Sequence, residues 1–258
     1  MRVLVTFALE TEFAPWRAMH NFRRGQWGKA EAYLAEIAGT EVGVVLTGVG
    51  PRVAGVRAAE VVRGEKQSIY ACISSGLAGA LKTEYAVGQV LAAKAVRAEA
   101  VDRDLNSAVL ECSSALLSFA LECGATGVNA FYTSERAIGR AEEKMHLGRI
   151  ADAVDMESFD IVKEASAFGI PAIAIRAISD SANKDLPFDM NEVLTDEGQV
   201  SVPRVLGQVG RHPRAIPDLV RLANQSRSSA GVLAEFLDRF IHVITKSMQA
   251  LEARSAHT

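Results

Sequence analysis

Cysteine is nearly absent from this chain. Only Cys72, Cys112 and Cys123 occur among 258 residues, and so odd and sparse a set excludes a secreted disulfide framework. No cysteine or histidine stands at zinc-ligand spacing, the five histidines being scattered, and no metal site is expected. Long apolar runs are lacking too: none approaches the roughly 20 residues that span a bilayer. The apolar stretch at residues 3–9 is too short for a secretory core with a cleavage site, and Glu10 ends it. It reads as the buried first strand of a cytoplasmic protein. Nor is there an excess charge of one sign. A formal net charge of −3 offers no electrostatic attraction to nucleic acid or an anionic membrane. Walker, Ser-His-Asp, G-x-S-x-G and HExxH patterns are all missing.

What is present is an ordinary soluble composition, 49% hydrophobic and 23% charged. The length suits one large α/β domain or two small ones. Apolar strands are expected near residues 2–9, 41–46, 69–74, 88–96, 128–133 and from Pro171 onward. Helices are expected after Glu12, over 52–63 and 113–123, and after Glu157, where Phe159, Val162 and Ala165 recur at helical spacing. Residues 21–40 suggest a hairpin. Residues 203–250 are helical in pattern, broken at His212-Pro213 and Pro217. Strands alternating with helices predict an α/β fold, its sheet flanked by helices. A single domain over 1–258 is expected, with a core over about 1–183 and a helical extension over about 184–258. That extension must pack on the core, since Leu219, Val220, Leu222, Leu233, Phe236, Leu237 and Phe240 would otherwise be exposed.

Two glycine stretches and four acids carry the candidate chemistry. Gly48-Val49-Gly50 joins a strand to a helix, but Val53 occupies the third glycine position of a dinucleotide fingerprint and no acid ends the next strand. What remains is a plain tight turn or a substrate-lining loop around Val49. In residues 75–80, Gly76 and Gly79 either let backbone N–H groups approach a ligand or form only a tight strand-to-helix turn. Glu12, Asp155, Glu157 and Asp180 each follow an apolar strand. Any one alone is as well explained as a helix cap. Four at strand C-termini, where ligands bind in mostly parallel sheets, point to a site. Carboxylates there can accept hydrogen bonds from a vicinal diol or exchange a proton with a leaving group or water. Met156 is either core or a soft apolar surface for ligand. Arg176, inside an apolar strand, needs a carboxylate partner. It is either a structural ion pair or an orienter of one of these acids.

Four segments resemble the purine/uridine phosphorylase and methylthioadenosine/S-adenosylhomocysteine nucleosidase family: Ala8-Leu9-Glu10-Thr11-Glu12, Ser75-Gly76-Leu77-Ala78-Gly79, Val154-Asp155-Met156-Glu157-Ser158 and Arg176-Ala177-Ile178-Ser179-Asp180. The resemblance covers roughly residues 1–183. It implies a three-layer phosphorylase/hydrolase-like fold with a twisted mixed central sheet, and cleavage of an N-ribosidic bond. By that resemblance Glu157 is the ribose-diol acid, Met156 packs under the sugar, and Asp180 protonates purine N7. Glu12 stands near an attacking water with Arg176 close by, and Ile138 lays backbone against the base. Gly76, Leu77 and Val49 complete the substrate-binding set. Asp180→Ala is then expected to abolish activity and leave the fold intact.

The chain departs from the family in carrying Leu77 where Ser or Thr is usual, and Ala137 where an aromatic residue stacks on adenine. The uridine-type Gln/Arg pattern is absent, which favours a purine, adenine first. The tail, with Asp196-Glu197-Gly198 and Arg211-His212-Pro213, resembles that of hopanoid-associated nucleoside phosphorylases, which act on an adenosyl group joined to a large lipid. The implied cofactor is none, with phosphate as a possible co-substrate, and the implied partner is a small-molecule nucleoside. A homo-oligomer, dimer favoured, is implied as well. Phosphorolysis and hydrolysis both stay open, and a non-catalytic nucleoside-binding homologue is the alternative.

Overall fold

The first apolar run forms β1 (Arg2–Phe7), which is hydrogen-bonded on both sides by parallel neighbours, β4 (Thr40–Leu46) and β5 (Ile69–Ala80). The structure is a computed structural model and describes residues 2–65, 68–99, 108–195 and 198–255. Beyond β4 lie β3 (Ala30–Ile37) and β2 (Arg23–Trp27), both antiparallel, so residues 21–40 do make a hairpin. On the other side β5 pairs in parallel with β10 (Ala172–Asp180), which pairs antiparallel with β6 (Val90–Ala98). The sheet continues from β6 through β8 (Thr126–Thr133) and β9 (Ala153–Asp155), and β9 returns to the end of β5. These five strands close a ring, while β1, β4, β3 and β2 extend from it as an open sheet. A further strand, β7 (Ala108–Glu111), pairs with β6.

Successive side chains of a strand face opposite ways, and both faces here are apolar. Leu4, Ala174 and Ile178 turn into one core with α2 (Pro51–Glu65) and α5 (Ser158–Ala167). Val3, Val5, Ile173 and Ile175 turn into the other, with α1 (Glu10–Met19), α3 (Ser114–Glu122) and the 40-residue α7 (Ile216–Ser255). Two helical layers thus enclose a mixed sheet. The long helix is the outer wall of the second core: Leu233, Phe236, Leu237, Phe240 and Ile244 are all buried. Each such side chain contributes roughly 1.5–3 kcal/mol by leaving water. The extension therefore packs on the sheet as its sequence requires, except in its first turns, where Val220 stays 53% exposed. The break at His212-Pro213 separates α6 (Val202–Arg211) from α7, and Pro217 sits in the first turn of α7, where its missing N–H costs nothing.

The glycine stretch at 75–80 differs from expectation. It is the second half of β5 and no turn to a helix. Parallel pairing with β10, Arg176 opposite Gly76 and Ile178 opposite Ala78, carries it on to Gly79, and pairing with β9 extends it to Ala80. Two short elements were also not foreseen: β7, and α4 (Ala141–Leu147), whose polar sequence shows no apolar stripe.

Candidate active site

The carboxyl ends of β1, β5, β9 and β10 converge on one cavity of about 220 Å³. Glu12 reaches it from the first turn of α1. Its Oε2 accepts the N–H groups of Ala8 and Leu9, both at 3.1 Å, and its Oε1 accepts the Leu77 N–H at 3.1 Å. Glu12 thus satisfies the orphan donors of a helix start while lining the cavity. Burial raises its carboxyl above the ordinary range, against the opposing pull of those N–H groups and of the Arg176 charge. The glycine opposite makes the arrangement possible. A Cβ on Gly76 would lie 3.2 Å from Glu12 Oε2, and its φ of +146° is one that only glycine adopts freely.

Asp155 ends β9, and Met156 and Glu157 lead from it into α5. Asp155 holds this corner together: Thr133 Oγ1 donates to its Oδ1 at 2.8 Å, and the Ser158 hydroxyl donates to its Oδ2. Arg176 Nη2 stands 3.1 Å from Asp155 Oδ2 and 3.8 Å from Glu157 Oε2, and donates to Ser74 Oγ at 3.2 Å. Glu157 also accepts the Gly50 N–H, at 3.0 Å, from the loop carrying Val49. Burial and then the Asp155 charge push the Glu157 carboxyl up to about 8, although Arg176 opposes the shift.

Asp180 ends β10. The Ser179 hydroxyl donates to its Oδ1 at 2.7 Å, and Lys144 Nζ stands 2.5 Å from its Oδ2. Gly79 gives it room, since a Cβ there would meet Asp180 Oδ2 at 3.0 Å. Lys144, on α4, is fully buried and also donates to the carbonyls of Ser181 and Lys184.

The remaining wall comes from the segment after β10, which contributes Leu186, Met190, Leu194 and Val200. Leu186 N–H bonds Gly139 O at 2.8 Å, Asn191 Oδ1 accepts the Ala137 N–H at 2.8 Å, and Gly198 O accepts the Val49 N–H at 2.8 Å. Those bonds press the segment onto the loops bearing Ala137, Ile138 and Val49.

Of the residues singled out in the sequence, Glu12, Val49, Leu77, Ile138, Met156, Glu157 and Asp180 all line this cavity. Two do not. Arg176 is 1% exposed and sits behind Asp155 and Glu157, so it orients and balances acids and does not touch the cavity. Gly76 also stands behind the wall, because the space its missing side chain leaves is taken by Glu12. No local signal marks Lys144: a lysine in a polar heptapeptide reads as solvated. The apolar wall after residue 183 was foreseen only as an extension. Among the described residues no three His, Cys, Asp or Glu side chains cluster as a metal ion needs. None of the described helices is long and apolar enough to cross a membrane.

The fold, a mixed sheet between two helical layers, is shared with solved structures. The 5′-methylthioadenosine/S-adenosylhomocysteine nucleosidase from Helicobacter pylori with butyl-thio-DADMe-Immucillin-A superposes with a TM-score of 0.72 at 16% identity, covering 93% of this chain and 97% of that one. The futalosine hydrolase of Helicobacter pylori superposes at 0.71 and 17%, with the same coverage. In sequence, the 5′-methylthioadenosine/S-adenosylhomocysteine nucleosidase of Aeromonas salmonicida is 26% identical over 236 residues, covering 82% of this chain and 100% of that protein. That of Shewanella sediminis is 25% identical over 226 residues, covering 80% and 97%. The model of the phosphorylase superfamily matches residues 2–205, and the chain belongs to that family.

Proposed function

We propose that this protein is an enzyme that cleaves the N-ribosidic bond of a purine nucleoside, adenine being the base favoured, with water as nucleophile. The observation that carries this reading is the convergence of Glu12, Glu157 and Asp180 on one cavity beside Met156. In the proposed reaction the bond from ribose C1′ to the base breaks and its electrons go to the purine. Asp180 takes up a proton from solvent as the base binds and passes it to the purine N7, which relieves the departing anion. The sugar left behind has oxocarbenium character, and the carboxylates beneath it stabilise that charge. Glu157 accepts the ribose hydroxyls, Met156 packs under the ring, and Glu12 takes a proton from the water that attacks C1′.

Water is favoured over phosphate on electrostatic grounds. Among the described residues that line the cavity, Arg136 is the one cation, and it is already paired with Glu143 at the rim. A phosphate dianion would meet Glu12 and Glu157 with no free cation beside them among the described residues, Arg176 and Asp155 being paired behind the wall. Leu77, in place of a hydroxyl residue, removes one further phosphate ligand.

The apolar wall of Leu186, Met190, Leu194 and Val200 supports an apolar 5′ substituent on the nucleoside. It is also the observation favouring a second reading, in which the substrate is an adenosyl group carried by a lipid, as the resemblance of the tail implies. A homodimer is the assembly we expect, and sedimentation of the purified protein measures it. The decisive experiment follows adenine release from 5′-methylthioadenosine and from an adenosyl lipid, with and without phosphate. Adenine and the unphosphorylated 5-substituted ribose are expected as products without phosphate. Release that requires phosphate overturns the choice of nucleophile. No release from a broad nucleoside panel, with purine binding intact, overturns the reaction and leaves a binding protein.

A further inference from the structure

We propose that Lys144 is a positioning residue for Asp180, fixing that carboxylate at the cavity wall and tying it to the segment that covers the cavity. The inference rests on the role given to Asp180 above. Lys144 has no exposed surface, and an ammonium group buried there needs an acceptor for each of its three protons. It has them: Asp180 Oδ2 at 2.5 Å, Ser181 O at 3.1 Å and Lys184 O at 3.4 Å. The other carboxylate oxygen of Asp180 lies 2.7 Å from the Ser179 hydroxyl, which shares its one proton with Ala78 O of β5 at 3.2 Å. Held at both oxygens, the carboxylate has its plane set before any base arrives, and such preorganisation is what lets a group act without reorganising in the reaction.

The same ammonium lies on a seam. Ala141 N–H bonds Asp185 Oδ1 at 2.7 Å, Leu186 N–H bonds Gly139 O at 2.8 Å, and Ala137 and Asn191 bond each other. These contacts zip the start of α4 and the loop before it onto residues 185–191. Lys144 is where that seam meets the acid. Seating the cover, with Leu186 and Met190 on its inner face, and aiming Asp180 are therefore a single arrangement. Two of its three acceptors are backbone carbonyls that serve the fold; the third is Oδ2 of the carboxylate expected to serve the leaving base.

The test compares Lys144→Gln and Lys144→Ala with the wild type in adenine-release kinetics, alongside melting temperatures. Lys144→Gln keeps a neutral donor in the space. Its kcat is expected to fall by about 10²-fold, the scale of a misplaced general acid, with KM changed by less than about threefold, because ribose contacts lie elsewhere. Lys144→Ala is expected to lose more, and methylamine added to the folded variant is expected to restore part of kcat without raising its melting temperature. A Gln variant at wild-type kcat, or a folded Ala variant that methylamine does not improve, overturns the proposal. Should the Ala variant not fold, the Gln comparison decides alone. A wild type that releases no base from any nucleoside overturns the reaction itself and this inference with it, an outcome distinct from a wild type that works beside an equally active variant.

Discussion

Arg176 and Asp155 meet at 3.1 Å with both side chains sealed from solvent, one strand end behind the cavity. The pair explains why an arginine is tolerated in the middle of β10. It also gives Asp155 its role, as the hub joining β8, β10 and α5 beneath Glu157. Removing one partner strands the other. Arg176→Met is expected to destabilise the protein by about 3–5 kcal/mol, read as a lowered urea midpoint. Arg176→Lys should recover little, since an ammonium cannot serve Asp155, Glu157 and Ser74 from one planar group. A midpoint unchanged in the Met variant would show that the pair is not holding this corner.

Lys144 changes the expectation for Asp180. Judged from its strand-end position alone, Asp180→Ala costs activity and leaves the fold intact. With a buried ammonium 2.5 Å away, the same change leaves an uncompensated charge and is expected to cost roughly 3–5 kcal/mol as well. Asp180→Asn keeps an oxygen for Lys144. It should melt above the Ala variant while losing about 10²-fold or more in the rate of base release. Melting curves and initial rates on both variants separate the two effects.

Gly76 offers a cleaner probe of Glu12 than Glu12 itself. Gly76→Ala adds one methyl group 3.2–3.4 Å from the Glu12 carboxyl, at a φ of +146°. Strain of this kind costs about 1–3 kcal/mol, and relief comes most easily by pushing Glu12 from its three N–H donors. The rate of base release is expected to drop by more than tenfold in protein that remains folded at the assay temperature. Retention of the full rate would separate Glu12 from the chemistry.

Glu157 predicts a pH dependence of stability. Its folded carboxyl titrates near 8 against an ordinary 4.5, so the native state binds this proton more tightly than the unfolded chain. Below about 4.5 both states are protonated and the ligand-free protein keeps its full stability with respect to this group. Stability is then lost as pH rises toward and through about 8, where ionisation places a second carboxylate beside Asp155. Glu157→Gln cannot ionise. The melting temperature of the variant relative to wild type should therefore climb between pH 5 and pH 9, by roughly several degrees. A constant difference across that window would refute the assignment.

Much of this was legible in short windows of sequence. Glu12, Glu157 and Asp180 each terminate an apolar run, and in a sheet of this kind a strand end is a place as well as a local feature. Buried β-branched runs and glycine stops marked most strands and helices. The stretch at 75–80 misled because its glycines are shaped by partners distant in the chain. Gly76 leaves space for Glu12, Gly79 leaves space for Asp180, and pairing with β10 keeps the whole segment extended.

By itself the sequence determined which residues are apolar enough to be strands, which acids close those strands, and that a helical tail must find a core to cover. Only the tertiary structure decided which acids share a cavity, that Arg176 lies behind it, that Leu186, Met190, Leu194 and Val200 wall it, and that Lys144 reaches Asp180. The physical reason is that burial and charge pairing are properties of a position in space. A lysine in a polar heptapeptide is solvated by default, and becomes the neutralising partner of an acid 36 residues away only when α4, the end of β10 and the chain that follows it are pressed together.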